Sequence, residues 1–172
     1  MSLSDDLLAH AWELAVSALD EAVMHEVLRR RAVSDNYYAL FHRINQDAVA
    51  LLAPNVPQQT NYRIQRWLDH AELKRVCGRF LPTKLDQPLL GLIGDSAPPD
   101  LQFVARSVVV LQEARHNADY DLGYTLSFDD TLNLLDSATT AIAAWGRVLI
   151  SAEANIFILS LLMWKNWEKE RL

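Results

Sequence analysis

The chain has 172 residues, 51% of them hydrophobic and 22% charged, which is typical of one globular domain and excludes a disordered chain. Five Gly and six Pro are too few for an all-β protein with many turns, and the single cysteine, Cys77, excludes an intramolecular disulfide framework and a multi-cysteine metal site. Sixteen Lys and Arg against 22 Asp and Glu leave a net charge of −6, which disfavours non-specific binding to DNA or RNA through a basic face.

The first half of the chain predicts three helices. Ser4, followed by two acidic residues, begins the first helix, which ends in the basic triplet Arg29–Arg31, where positive charge suits the C-terminal end of the helix dipole. Ser34 is the predicted N-cap of the second helix, which Pro54 closes. The third helix runs from about residue 60 to residue 77. Apolar residues recur at steps of three or four along all three helices.

The second half of the chain predicts a long loop and further helices. Residues 82–99 hold most of the Pro and Gly residues and are expected to form an irregular connection. Asp100 is the predicted N-cap of the fourth helix, and Ser127 with Asp130 resembles a capping box that begins the fifth. The apolar spacing then resumes in a C-terminal helix over about 147–171.

These elements predict an all-α fold, an antiparallel bundle of five to six helices that forms one domain over residues 1–172. The acidic N-terminus lacks the basic-then-apolar order of a signal peptide. The longest charge-free apolar run, Ala154–Trp164, has about eleven residues, whereas a membrane-spanning helix needs about 20. We therefore expect a cytoplasmic protein without a membrane partner. The large residues of the tail, expected to complete the core rather than cover a partner, are Trp145, Phe157, Leu161, Trp164 and Trp167.

Arg115 is the most informative single residue of the sequence. It continues the apolar stripe of the fourth predicted helix by one step of four, and a guanidinium at such a position must pair, cap a helix end or face a cleft. The polar residues that follow it include His116, Asn117, Asp119 and Tyr120. Capping of the helix C-terminus, or a bond to Asp119, explains Arg115 about as well as a functional role does.

Two sequence segments about 75 residues apart favour the functional role. The first reads Tyr-Tyr-Ala-x-Phe-His over Tyr37–His42, and the second reads Arg-x-x-Ala-Asp-Tyr-Asp over Arg115–Asp121. In this order they resemble the HEPN superfamily, in particular its small prokaryotic members, over residues 31–149. The resemblance implies a bundle of four to five antiparallel helices, a homodimer, and a place in toxin–antitoxin or defence systems. Many HEPN domains are metal-independent ribonucleases whose active cleft forms at the dimer interface.

The resemblance assigns Arg115 as the motif arginine and His116 as the polar residue after it, so these two are the predicted catalytic residues. The family motif ends in a histidine at position 120, 121 or 122, where this chain has Tyr120, Asp121 and Leu122. Metal-free RNA cleavage needs a group that titrates near neutral pH, and arginine and an unperturbed tyrosine do not. A dimeric interaction module is therefore favoured over a ribonuclease.

The favoured function is a HEPN-like homodimer that binds RNA, a nucleotide or a protein partner such as a nucleotidyltransferase. Its predicted binding residues are Tyr38, His42, Arg115, Asn117, Asp119 and Tyr120. One alternative is a metal-independent ribonuclease in which His116 or His42 replaces the missing histidine, and another is a helical scaffold. Arg29–Arg31 would add positive charge to a cleft around Arg115. The sequence has no Gly-rich phosphate loop or metal-ligand spacing, so we expect neither cofactor nor metal.

Overall fold

The computed structural model describes residues 2–18, 23–66 and 68–169, with side chains over 2–18, 25–66 and 68–164. Over these ranges the chain forms eight helices and no strand, so the all-α prediction is confirmed, although the helices outnumber the predicted five to six. In chain order they are α1 (Leu3–Ser17), α2 (Val23–Leu52), α3 (Gln58–Gln65), α4 (His70–Phe80), α5 (Leu89–Ile93), α6 (Pro99–Tyr120), α7 (Phe128–Val148) and α8 (Ala152–Lys169).

The contacts within the chain form two compact units. Unit 1 contains the described residues of Met1–Arg43 and Ser107–Ala143, and unit 2 contains those of Ile44–Arg106 and Ala144–Leu172. Helices α2, α6 and α7 therefore contribute residues to both units. The two motifs of the sequence analysis, around Tyr38 and Arg115, belong to unit 1.

Two buried clusters of unit 1 are rich in small side chains. One buried cluster joins α1, α2 and α7: Ala11, Ala15, Ala32 and Leu135. A second buried cluster joins α2, α6 and the connection to α7: Val33, Ala114, Ala118 and Leu126. Because alanine side chains let helix backbones approach closely, the second cluster brings α2 against the end of α6. That approach places the residues next to Val33 on α2 within reach of those next to Ala114 on α6.

The N-cap of the first helix lies two residues before the predicted one. The N-cap is Ser2, whose Oγ accepts a hydrogen bond from the Asp5 amide at 3.2 Å, while Asp5 Oδ2 accepts from the Ser2 amide at 2.9 Å. This reciprocal pair is a capping box, and it holds the pKa of Asp5 below its usual range. Ser4 is instead buried in the first turn, where its hydroxyl donates to the Ala39 carbonyl of α2 at 2.8 Å.

The predicted boundary between the first two helices is wrong, because Arg29–Arg31 and Ser34 lie inside the continuous helix α2. Positive charge and a serine are signals of helix ends only when their side chains serve the local backbone. Here the buried Ser34 hydroxyl bonds to Asp119, and the arginines bond to acidic side chains and to carbonyls elsewhere in unit 1. The helix ends at Leu52, shortly before Pro54, as predicted.

The predicted third helix consists of two helices, α3 and α4. Asp69 separates them, because it is the N-cap of α4 and its carboxylate accepts from the Glu72 amide at 2.7 Å. Trp67, expected on the inner face of the predicted helix, lies outside the described residues. The predicted loop over 82–99 contains the short helix α5.

Helix α6 differs from its prediction at both ends. It begins at Pro99, which places Asp100 in the first turn rather than at the N-cap, and the Asp100 carboxylate accepts two hydrogen bonds from Arg147 at 2.8 and 2.9 Å. At the other end the polar stretch from His116 to Ser127 interrupts the apolar spacing and predicts the end of the helix, but the helix continues through its first residues to Tyr120. The predicted start of α7 is confirmed, since Ser127 Oγ accepts from the Asp130 amide at 3.0 Å.

The aromatic tail completes the core of unit 2, as predicted. Phe157 contacts Phe80 and Trp145 at ring-centroid distances of 5.1 and 5.8 Å, and Leu161 and Trp164 are also buried. The side chain of Trp167 lies outside the described residues. The C-terminal helix begins at Ala152 instead of about 147, because α7 continues to Val148. None of the described helices is alone long and apolar enough to cross a membrane; one bent pair, Phe128–Val148 with Ala152–Trp164, meets that criterion jointly.

Candidate functional site

The two sequence motifs meet in unit 1, where α2 packs against the last turns of α6. Arg115 Nη2 donates a hydrogen bond to the Tyr38 hydroxyl at 2.7 Å, across 77 positions of sequence. The guanidinium carbon lies 5.3 Å from the centroid of the Tyr38 ring and 5.5 Å from that of Tyr120, so the cation contacts two aromatic rings. These contacts hold Arg115 at the side of its helix instead of at the helix C-terminus.

Asp119 forms an ion pair with Arg115 from the next turn of the same helix. Its Oδ2 atom lies 2.7 Å from Arg115 Nε, although the N–H bond does not point along that line. Its Oδ1 atom accepts a hydrogen bond from the Ser34 hydroxyl at 2.5 Å. The side chains of Arg115 and Asp119 are 20% and 21% exposed. The pair is therefore partly shielded from water, and the carboxylate neutralises the charge of Arg115.

The protonation of Arg115 and His42 follows from their surroundings. Burial alone would lower the pKa of Arg115, but Tyr38, Asp119 and Tyr120 outweigh burial and raise it, so the guanidinium stays charged and carries no proton between groups near neutral pH. His42, on α2, stacks on Tyr38 with 6.1 Å between ring centroids and 25° between ring planes. Burial lowers the pKa of His42, so its ring is neutral at pH 7.

Five planar side chains follow one another across this surface, and we call them the planar row: His42, Tyr38, Arg115, Tyr120 and His116. His42 stacks on Tyr38, Arg115 lies between Tyr38 and Tyr120, and the Tyr120 ring lies 5.1 Å from the His116 ring. Tyr120 is 65% exposed, and His116 is exposed as well. One end of the planar row is thus anchored on α2 and the other end faces solvent.

The structure brings six of the seven predicted site residues together and leaves one apart. Asn117 is half-buried on α6, and the contact that the structure gives it is made by its backbone carbonyl, which accepts from the Asp121 amide at 2.9 Å. The prediction that Asn117 binds a ligand together with Arg115 receives no support from this placement. Asp119, predicted as a binding residue, instead contacts Arg115 and Ser34.

The basic triplet does not add positive charge to the site. Arg29 is buried and donates to the Ala18 carbonyl at 3.3 Å. Arg30 donates to Glu26 Oε1 at 2.9 Å and is bonded to backbone carbonyls as well. Arg31 is exposed, and its Nη2 atom lies 4.0 Å from Asp35 Oδ1. The triplet therefore consists of one buried cation, one cation with several hydrogen bonds and one exposed cation rather than a basic patch.

Arg30 has a structural role that its place in the sequence did not predict. Its Nη1 atom donates to the carbonyls of Ala118 and Asp121 at 3.0 and 2.9 Å, and Nη2 donates to the carbonyl of Tyr124. These carbonyls belong to the end of α6 and to the turn after it, where the helix itself offers no donors. Arg30 therefore caps α6 from α2 and fixes the turn that follows Tyr120.

A spacing of four residues in the sequence indicates the contacts between α2 and the end of α6. Residues four apart lie on one side of a helix, and Arg30, Ser34, Tyr38 and His42 form such a series on α2. The same spacing joins Arg115 to Asp119 and His116 to Tyr120 on α6. The polar series on α2 thus contacts the end of α6 at three successive turns.

No family model, curated protein or solved structure matches this chain. The relation to HEPN domains is therefore a resemblance carried by the two motifs. No group of three or more His, Cys, Asp or Glu side chains that would hold a metal ion is found within the described ranges.

Proposed function

We propose that this chain is a HEPN-like interaction module that associates with a second copy of itself through the planar row. The observation that carries the proposal is the exposed surface formed by the end of α6 and the turn after it, where Tyr120 is 65% and Leu122 is 97% exposed. Tyr120 lies beside Arg115, whose position is already fixed by Tyr38, and Leu122 follows in the turn after α6. Tyrosine and arginine are the residues most enriched among those that dominate binding energy at protein interfaces.

A symmetric dimer suits this surface. In a two-fold interface each copy contributes the same patch, so Tyr120 and Leu122 of both copies would be removed from water together. Because Arg115 is ordered in the separate chain, its immobilisation on binding costs little entropy. A stable interface of this kind buries about 800 Å² on each copy. The antiparallel HEPN bundle and the toxin–antitoxin or defence setting belong to this proposal through the resemblance.

Binding of RNA or a nucleotide through the same rings receives less support. Aromatic rings stack on bases, but affinity for nucleic acid depends mainly on cations that contact phosphate. The cation of the planar row is paired with Asp119, and the chain carries a net charge of −6. A protein partner such as a nucleotidyltransferase would have to use the same exposed end of α6.

The ribonuclease alternative also receives less support, because the side chains it needs are engaged in other contacts. It requires a guanidinium that reaches the phosphate and a side chain that transfers protons. Arg115 is paired with Asp119, and the half-buried His42 ring stacks on Tyr38. His116 is accessible, but its ring packs against Tyr120. An interaction module is the function that this geometry favours.

Light scattering coupled to size-exclusion chromatography tests the proposal. We expect a dimer at tens of micromolar for the wild-type chain and a monomer for the double variant Tyr120→Ala, Leu122→Ala. The matched control is Ile150→Ala, which removes an equally exposed apolar side chain from unit 2 and is expected to remain a dimer. A monomeric wild type, or a dimeric double variant, would contradict the proposal.

A further inference from the structure

Arg115 has the surroundings of an anion receptor. Its guanidinium is fixed by the Tyr38 hydroxyl at 2.7 Å and by two aromatic rings, and one fifth of the side chain remains exposed. A planar guanidinium with its donors fixed in space is the side chain best suited to bind phosphate or carboxylate. A flexible surface arginine loses conformational entropy when it binds an anion, and Arg115 loses little because it is already held in place.

The anion at this receptor is part of the chain itself. The Asp119 carboxylate lies 2.7 Å from Arg115 Nε, and the buried Ser34 hydroxyl holds its other oxygen at 2.5 Å. A carboxylate anchored in this way is present at a high effective concentration, so an external anion must displace it. An approaching phosphate is also repelled by the charge of Asp119 at short distance.

We infer that Asp119 determines the specificity of the planar row by excluding phosphate-bearing ligands from Arg115. The inference rests on the proposed function, because it concerns the same surface, and it explains how a surface with stacked rings and an arginine favours a protein partner over a nucleic acid. Specificity of this kind comes from a group that disfavours the competing ligand, not from stronger contacts to the preferred one. Removal of the carboxylate charge turns the planar row into a surface that binds single-stranded RNA.

The experiment compares the wild-type chain with Asp119→Asn for binding of a short, fluorescein-labelled single-stranded RNA, measured by fluorescence anisotropy at one fixed low salt concentration. Asparagine retains an oxygen that accepts from Ser34 and loses the charge that pairs with Arg115. We expect Kd to fall by about tenfold or more, which corresponds to about 1.4 kcal/mol. Adding Arg115→Ala to Asp119→Asn is expected to abolish the gain.

Asp121→Asn is the matched control, because it removes the same unit of charge two residues away. Its side-chain oxygen accepts from the Gly123 amide at 2.8 Å, and asparagine preserves that bond. A gain of RNA affinity in Asp121→Asn equal to that in Asp119→Asn would overturn the inference, since net charge alone would then explain it. No gain in Asp119→Asn would overturn it as well.

Folding and self-association are measured separately for each variant. Circular dichroism identifies a variant that fails to fold, and in that event Asp119→Ala replaces Asp119→Asn with the same expected gain. Light scattering reports on the dimer independently of RNA. A monomeric wild type would contradict the proposed function and leave the expected RNA gain of Asp119→Asn intact, so the two failures are distinguishable.

Discussion

Ser34 of α2 and Asp119 of α6 are joined by a 2.5 Å hydrogen bond across 85 positions of sequence. The bond holds one carboxylate oxygen while the other faces Arg115. It therefore restricts the rotation of the Asp119 side chain, whose partner Arg115 lies one turn earlier on the same helix. Ser34, which the sequence predicts as a helix N-cap, instead bonds to a residue of a distant helix.

Ser34→Ala is expected to destabilise the chain by about 1–2 kcal/mol, because the carboxylate loses a neutral donor in a partly shielded position. Urea denaturation followed by circular dichroism measures the change. Ser17→Ala is the control, since the Ser17 hydroxyl makes only an exposed bond to the Glu13 carbonyl, and its effect is expected to stay within about 0.5 kcal/mol. Equal effects of the two substitutions would contradict the anchoring role of Ser34.

Arg30→Lys is expected to destabilise the chain by about 2–3 kcal/mol and to accelerate hydrogen exchange of the amides over residues 119–124. Lysine keeps the charge, but a single ammonium does not reach three carbonyls that a guanidinium fork bonds together. Arg31→Lys changes the exposed neighbour and is expected to leave both quantities unchanged. Hydrogen exchange that rises uniformly along the chain in Arg30→Lys would argue against a local cap.

The stability of the chain is expected to fall as the pH drops below about 6.5, in part because of His42. Burial lowers the pKa of this residue in the folded state from its ordinary value of 6.5. Between the pKa values of the folded and the unfolded state, the unfolded chain binds more protons, so the free energy of unfolding decreases as the pH falls. The contribution of His42 to stability is complete above pH 6.5. Urea denaturation on both sides of pH 6.5 should show a shallower pH dependence for His42→Gln than for the wild type. The control is the exposed His116→Gln; a larger flattening in that variant would contradict the assignment.

The purified chain is expected not to cleave single-stranded RNA in the presence of EDTA. Arg115 is paired with Asp119, and the positions at which HEPN domains would have the motif histidine hold Tyr120, Asp121 and Leu122. Gel electrophoresis of labelled RNA after incubation measures cleavage. Cleavage that disappears in a folded Arg115→Ala variant would favour the ribonuclease alternative over the interaction module.

The contacts at the site show which parts of it the sequence could predict. Hydrophobic spacing was sufficient for the all-α class, and the two motifs were sufficient to place Tyr38 and Arg115 in one site. Local end signals were misleading at Arg30 and Ser34, because their side chains bond to a distant helix rather than to their own backbone. A bond to Asp119, a helix C-terminal cap and a functional role were three open interpretations of Arg115. The positions of Tyr38 and Ser34 on α2 distinguish the bond to Asp119 from a helix cap.

The cap that Arg30 supplies to α6 comes from 88 positions earlier in the chain. A peptide that spans only α6 and the following turn would lack these bonds, and its C-terminal end would therefore fray more readily. In the full chain the final turn of α6 becomes ordered when α2 docks on it. Because α2 precedes α6 in the chain, α2 is synthesised before the helix end that its Arg30 caps.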